Sequence, residues 1–207
     1  MAYIGSKPAD KVLTASDITD GVVSNAKLAQ DIISADTELA AIPDTTDEFL
    51  VSDAGVLKRI DAQFFQNTPS FRVYRTGNQS ISLNTLTKVE WDAEDYDTDS
   101  DFASDKFTPQ VAGKYYLYSN VYLANGSNAT NTEYTAHLYK NGSSVVVTHI
   151  DHRTAGIGYQ QSVPVTSVVT ANGSSDYFEV YIYGNWGGGS INATSNSFFG
   201  GYKLIGA

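Results

Sequence analysis

The stretch Tyr177-Phe178-Glu179-Val180-Tyr181-Ile182-Tyr183 carries large side chains at both parities. A strand sends successive side chains to opposite faces, so Phe178, Val180 and Ile182 share one face and Tyr177, Glu179, Tyr181 and Tyr183 the other. The first set reads as the inner face of a β-sandwich. The second is too aromatic for a plain solvent face. Residues 113–123 repeat the pattern, with Tyr115, Leu117, Ser119, Val121 and Leu123 opposed by Tyr116, Tyr118 and Tyr122. Tyrosine suits subunit contacts because its ring is apolar and its hydroxyl polar. Tyr116, Tyr118, Tyr122, Tyr177, Tyr181 and Tyr183 are therefore candidates for a subunit interface. The other reading is that one tyrosine face covers sheet edges.

This texture is confined to one part of the chain. Of 14 tyrosines, 13 follow Asn67. Aromatic and β-branched residues favour a pleated, half-buried surface, so this part reads as all-β. Asn67-Thr68-Pro69-Ser70 is the natural boundary, since proline favours an extended connector. The chain divides into an extended segment at 1–36, a hairpin module and linker at 37–69, and a sandwich at 70–207. Residues 1–66 hold few large apolar residues and would be marginal alone. Leu28 and Ile32 give residues 24–33 a weak helical period, and helix and extended chain both fit there. Phe49-Leu50-Val51 and Val56-Leu57-Lys58-Arg59-Ile60 flank a turn containing Gly55, which predicts a hairpin. Asp61 is placed to cap one helical turn through Phe64 and Phe65, whose rings need cover from the head or a neighbouring chain.

The connections alternate in kind. Val111-Ala112-Gly113, Lys140-Asn141-Gly142-Ser143 and Ala171-Asn172-Gly173-Ser174 read as tight turns. Residues 124–131, 151–159 and 184–195 read as long loops. Antiparallel strands reverse at each step, so the tight turns belong at one end with the shaft, and the long loops at the other. Loops on a rigid scaffold commonly carry binding residues. Trp186 stands in a glycine-rich stretch of the third loop, where it either stacks on a sugar ring or plugs a three-fold axis. Asn125, Asn128, Asn185 and Asn192 are the neighbouring candidates for hydrogen bonds to a receptor.

With 13 basic and 23 acidic residues the formal charge is −10, and no basic cluster is present. Such a chain is not built to wrap nucleic acid. It has no cysteine, hence no disulfide or thiolate metal site. No apolar stretch of signal length follows Met1 and no window suggests a membrane span, so synthesis in a bacterial cytoplasm without membrane insertion is expected. The Asn-x-Ser/Thr sites then read as turn chemistry. In the acidic run 92–101, Asp97, Asp99 and Asp101 match the opening of a calcium loop, but Phe102 replaces its turn glycine and Thr108 its bidentate glutamate. A solvated acidic loop is the expectation. His149 and His152 lie three apart, on opposite faces of a strand, so they share an ion only if the strand ends between them; surface or interface histidines are the expectation, and His137 faces away from the core. No Gly-x-Ser-x-Gly occurs, Ser195 has no base near it in sequence, and no catalytic residue, metal site or cofactor is assigned. The chain is expected not to be an enzyme.

Phe71-Arg72-Val73-Tyr74 is followed by Lys88-Val89-Glu90-Trp91-Asp92, then Tyr96-Asp97-Thr98, then residues 107–117, and the chain closes on Phe198-Phe199-Gly200-Gly201-Tyr202. That order resembles the C1q-like domain, a relative of the tumour-necrosis-factor jelly roll, over about residues 71–205. The resemblance implies an antiparallel jelly-roll sandwich that assembles as a homotrimer and binds rather than catalyses. Met1-Ala2-Tyr3-Ile4-Gly5-Ser6-Lys7-Pro8-Ala9-Asp10 resembles the opening of tail-fibre and virion proteins of marine bacteriophages, and residues 16–29 are similar to repeats of phage fibre shafts. This implies a virion protein on the particle exterior, anchored to other virion proteins through Tyr3, Ile4 and Pro8. Its head would bind a host-surface receptor or glycan. A short stretch before the head keeps a second expectation open, a trimeric capsid decoration protein or head fibre.

Overall fold

The computed structural model describes residues 14–19, 37–44, 46–125, 130–151, 160–187 and 190–206. The chain divides into two compact units, Met1–Pro43 and Asp44–Ala207. In the first, one 3-10 turn spans Ala15–Asp17, where the Asp17 carboxylate accepts from the Thr14 amide at 2.9 Å. The segment 24–33 and the anchor candidates Tyr3, Ile4 and Pro8 lie outside the described residues. Residues 44–69 of the expected hairpin module fall in the second unit together with the sandwich, and residues 37–43 in the first.

The second unit opens with the expected hairpin, β1 (Glu48–Asp53) and β2 (Val56–Asp61), in full antiparallel register from Glu48↔Asp61 to Asp53↔Val56. Ala54 and Gly55 both have positive φ, the geometry of a two-residue turn that matches strand twist. The helical turn Ala62–Phe65 follows. Asp61 sits at its cap position but makes no capping hydrogen bond; its carboxylate accepts from the Gln63 side-chain amide instead. Phe64 and Phe65 remain more than half exposed.

The remaining strands build two stacked antiparallel sheets. They are β3 (Ser70–Tyr74), β4 (Gln79–Ile81), β5 (Thr87–Lys88), β6 (Ala93–Asp97), β7 (Phe102–Ala103), β8 (Lys106–Phe107), β9 (Ala112–Asn125), β10 (Thr130–Lys140), β11 (Ser143–Asp151), β12 (Gln160–Asn172), β13 (Phe178–Gly187), β14 (Ile191–Ala193) and β15 (Phe198–Lys203). One sheet runs β12, β9, then β15 and β14 end to end, then β3 and β4, with β6 outermost. The other runs β11, β10, β13, then β5 and β8, with β7 outermost. The chain crosses between sheets after β4, β5, β6, β8, β9, β11, β12 and β13, and from β9 onward this is the strand order of a jelly roll. Inward residues meet in one core. Phe71 stacks on Phe107 at 4.2 Å and meets Phe199 edge-on at 5.0 Å, and Leu117, Tyr134, Leu138, Phe178 and Ile182 surround them.

Two expected hairpins are crossovers instead. Ala112 and Gly113 open β9, and the preceding strand β8 belongs to the opposite sheet. Asn172 ends β12 while β13 starts in the other sheet. There the Asn172 side-chain oxygen accepts from the amides of Ser174, Ser175 and Asp176, each at 3.0 Å, and folds the chain across the sandwich edge. Lys140–Ser143 is the tight turn expected, with Asn141 and Gly142 at positive φ. The ends sort as anticipated. Ala112↔Asn172, Ser70↔Tyr202 and the Asn141 turn share the end where the chain enters from the hairpin module. Asn125↔Ile191, Thr130↔Gly187 and Ala124↔Gln160 share the opposite end, and these strand ends flank 126–129, 152–159 and 188–189.

Candidate functional site

The outward positions of the β9 sheet form aligned rows. Tyr202, Tyr116 and Val168 make one row; Gly200, Tyr118 and Thr166 the next; Phe198, Asn120 and Pro164 a third. Tyr74 and Arg72 on β3 and Tyr96 on β6 extend the same face. The rings touch: Tyr116–Tyr202 at 5.7 Å, Tyr116–Tyr118 at 6.1 Å and Tyr118–Phe198 at 6.2 Å. Arg72, ion-paired with Asp95, lies 5.1 Å over the Phe198 ring. Gly200 keeps the face flat. A Cβ there would meet the Tyr118 hydroxyl at 2.6 Å and the Phe71 carbonyl oxygen at 2.9 Å, so only glycine lets the phenol lie across the strand. Burial, together with the Tyr96 hydroxyl, pushes the Tyr118 pKa up to about 12. The result is an aromatic plate whose cation among the rings, Arg72, is compensated, with Lys114 at the next outward position of β9 on its border. Tyr122 sits higher on the same face and donates to Gln160 at 2.6 Å.

Tyr177, Tyr181 and Tyr183 do not join this plate. The crossover at Asn172 puts β13 in the other sheet, so these side chains point out of the opposite side of the sandwich. They are already occupied by their own chain. Lys106 lies 4.4 Å over Tyr177, Tyr139 packs on Tyr181 at 4.5 Å, and the Tyr183 hydroxyl donates to Asn84 at 3.1 Å. Glu179, 4% exposed, is held by Lys88 at 2.9 Å and Lys106 at 3.8 Å. The six tyrosines expected at one interface are thus two sets on opposite faces. Tyr74, Tyr96, Phe198 and Tyr202 complete the first set. The sequence reading missed these four; their parity within the short strands around them is the signal that could have found them.

At the loop end the expectation of an exposed Trp186 is corrected. β13 does not stop at Tyr183 but continues to Gly187, and the parity of Phe178, Val180 and Ile182 carries through Gly184 to Trp186. The indole is 5% exposed and belongs to the core. It folds over Gly184, where a Cβ would meet the ring at 2.9 Å and Tyr134 at 3.0 Å. Trp186 therefore neither offers a free stacking surface nor reaches a subunit axis. Asn185 lies on β13 and Asn192 on β14, which pairs with both β4 and β9. Asn125 is the last residue of β9, and Asn128 lies outside the described residues.

The acidic run closes on itself. Asp97 accepts from the amides of Asp101 at 3.2 Å and Phe102 at 2.8 Å, and Asp101 accepts from Gln110 at 3.0 Å. Two of the three candidate calcium carboxylates are thus engaged by backbone. Among the described residues no group of three or more acidic or histidine side chains is arranged to hold a metal. His149 meets Glu133 at 3.2 Å, and His137, whose burial lowers its pKa, meets Thr135 at 2.8 Å; His152 lies outside the described residues. Ser195 borders an open polar cleft with Arg72, Tyr74 and Asp95.

No family model matches this chain, and no curated protein matches it. Among solved structures it is similar to murine APRIL at pH 5.0, with 16% identity, 65% of this chain and 98% of that one covered, and a TM-score of 0.48. Murine APRIL at pH 8.0 is similar at 15% identity over the same shares, with a TM-score of 0.45.

Proposed function

We propose that this chain is a bacteriophage virion structural protein, a short trimeric tail fibre. Its jelly-roll head self-associates through the tyrosine plate and offers its loop end to a receptor on the host surface. The observation that carries this reading is the plate itself. A contiguous row of aromatic rings, flat and nearly uncharged on a chain of net charge −10, has the chemistry of a subunit interface. The polarity of the head supports the second half. The N-terminal connection enters at one end and the long connections leave from the other, so an anchored head would hold those connections outward. The resemblance of the N-terminal motifs to phage fibres supports the virion context. Three weak sites on one trimer would gain avidity with no new contacts.

The test has two arms. Sedimentation of the full chain should give a trimer, and Tyr118→Lys should give a folded monomer. A monomeric wild type would overturn the reading. An array of bacterial surface polysaccharides should then retain the wild-type trimer and lose the Asn185→Ala/Asn192→Ala variant. A stable trimer that binds none of them would favour a capsid decoration role instead.

A further inference from the structure

We propose that the cleft between the β6 bulge and the turn before β15 is a carbohydrate subsite that takes one neutral hexopyranose ring. The inference deepens the receptor reading above, on which its choice of ligand rests, and gives the glycan a contact separate from the loop-end asparagines.

The cleft is built by a bulge and a turn. Tyr96 pairs with Arg72 and Glu94 with Val73, so Asp95 is an extra residue on β6 with no partner on β3. Such bulges re-aim a side chain. Here the Asp95 carboxylate reaches the Arg72 guanidinium on the outward side of the sheet. The other wall is the turn between β14 and β15, anchored by Ser197, which is 1% exposed. Its hydroxyl oxygen accepts from the Tyr122 amide at 2.9 Å, its amide donates to the Thr194 carbonyl at 3.0 Å, and its carbonyl accepts from the Arg75 amide at 3.1 Å. Ser195 and Asn196 are thereby fixed at the rim with both side chains exposed. Tyr74 and Phe198, opposite each other on β3 and β15, line the space between the walls. Ser70↔Tyr202 marks the entry end of this strand pair, so the cleft borders the tyrosine plate on the side of the long connections.

The chemistry of the lining selects the ligand. A sugar hydroxyl both donates and accepts, so two adjacent hydroxyls are matched by a fixed donor beside a fixed acceptor. Arg72 beside Asp95 is such a pair, and both groups are planar forks. The Ser195 hydroxyl and the Asn196 side-chain amide have no hydrogen-bond partner among the described residues, and they supply further donors and acceptors from the facing wall. Tyr74 and Phe198 add ring surface for the C–H side of a pyranose. Charge argues against an anion. Arg72 is the cation of the lining, Asp95 compensates it, and the run 92–101 that supplies Asp95 is acidic. A phosphate or a uronate would meet no free cation there. The volume is about 270 Å³, which is small for a ligand pocket and suits one ring rather than a chain.

The experiment titrates the full chain with methyl glucoside, methyl galactoside, methyl mannoside and, as the acidic counterpart, galacturonate, and reads binding by saturation-transfer NMR. The expected result is millimolar binding of at least one neutral hexoside and weaker binding of galacturonate. Ser195→Ala/Asn196→Ala, at exposed positions outside the anchored Ser197, should keep the wild-type sedimentation and weaken the hexoside about tenfold, the loss expected for hydrogen bonds removed at an open site. Asn185→Ala/Asn192→Ala should leave the hexoside unchanged. Tighter binding of galacturonate would overturn the neutral class. Hexoside binding that survives in the cleft variant, or is lost only in the Asn185/Asn192 variant, would overturn the cleft and leave the receptor reading standing. Retention on the polysaccharide array with no hexoside bound would do the same, and failure of both experiments would remove both readings together.

Discussion

Trp186 shows how one side chain changes role when its strand is two turns of the pleat longer than its composition suggests. Gly184, Gly187, Gly188 and Gly189 surround it, and glycine is the usual mark of a loop. Yet Gly184 is small because the indole folds over it, so the residue that looked like a breaker is a packing partner. Trp186→Ala should therefore cost about 3–5 kcal/mol of stability, the range for emptying a large aromatic site in a core. Urea unfolding measures it, and a loss under about 1 kcal/mol would show that the ring is not core. Asp101 yields a pH signature. Burial, opposed by the Gln110 amide and reinforced by Asp99 and Asp97, raises its pKa above the ordinary 3.8. A carboxyl raised on folding contributes stability that is complete below its unfolded pKa and is lost as pH rises through its folded one. Asp101→Asn removes that loss and keeps an oxygen for Gln110. The variant should match the wild type in acid and gain in melting temperature as pH rises toward neutral. A difference that is flat or reversed across a series of thermal melts would contradict this.

At the scale of elements, the sequence reading and the structure part where one local signal serves two topologies. Asn141-Gly142 and Asn172-Gly173 are the same dipeptide between extended segments. The first closes a hairpin; the second opens a crossover, because the Asn172 oxygen gathers three following amides and the chain leaves its sheet. Alternation told which residues face inward on β9 and β13, and the β1–β2 hairpin was legible from its turn. It did not tell which sheet each strand joins, since both sheets are inward-apolar, and so two tyrosine faces were merged into one. What ties the two connections together is Asp176. It accepts from the Asn172 amide at 2.9 Å, the Asn141 side chain at 2.7 Å and Lys140 at 2.8 Å. The hydrogen bonds from Lys140 and Asn141 hold its pKa below the ordinary value, against some desolvation. A carboxyl lowered on folding stabilises above its unfolded pKa, and the contribution fades as pH falls through the folded one. Asp176→Ala should destabilise by about 2 kcal/mol at neutral pH, in line with hydrogen bonds to a charged group. The deficit should shrink in acid. Chemical denaturation at two pH values tests both, and a deficit that is unchanged in acid would mean that the carboxylate charge contributes little.

At the scale of the molecule the question is which face of the sandwich another copy covers, and two valines answer it with matched chemistry. Val168 on β12 is 54% exposed and shares its row with Tyr116 and Tyr202; Val147 on β11 is 47% exposed and pairs with His137 on the opposite face. Each lies at the open side of its sheet, so lysine at either position extends into water in the isolated head. Monomer stability should shift by no more than about 0.5 kcal/mol in both variants. Association separates them. If the plate is the interface, Val168→Lys buries a charge among rings, with Arg72 already engaged by Asp95 and no carboxylate in its row. An unpaired buried charge costs several kcal/mol per subunit contact, enough to dissociate a trimer at micromolar concentration. Val147→Lys meets no neighbour and leaves the trimer intact. Sedimentation velocity on the two variants reads the difference directly. Dissociation by Val147→Lys alone would move the interface to the face of Tyr181 and Tyr183, where the rings would have to give up Tyr139 and Asn84 to meet a partner. That requirement is the physical reason to expect the plate to win: its outer rings stack on one another and, at Phe198, on Arg72, and a second copy can cover them without displacing those contacts.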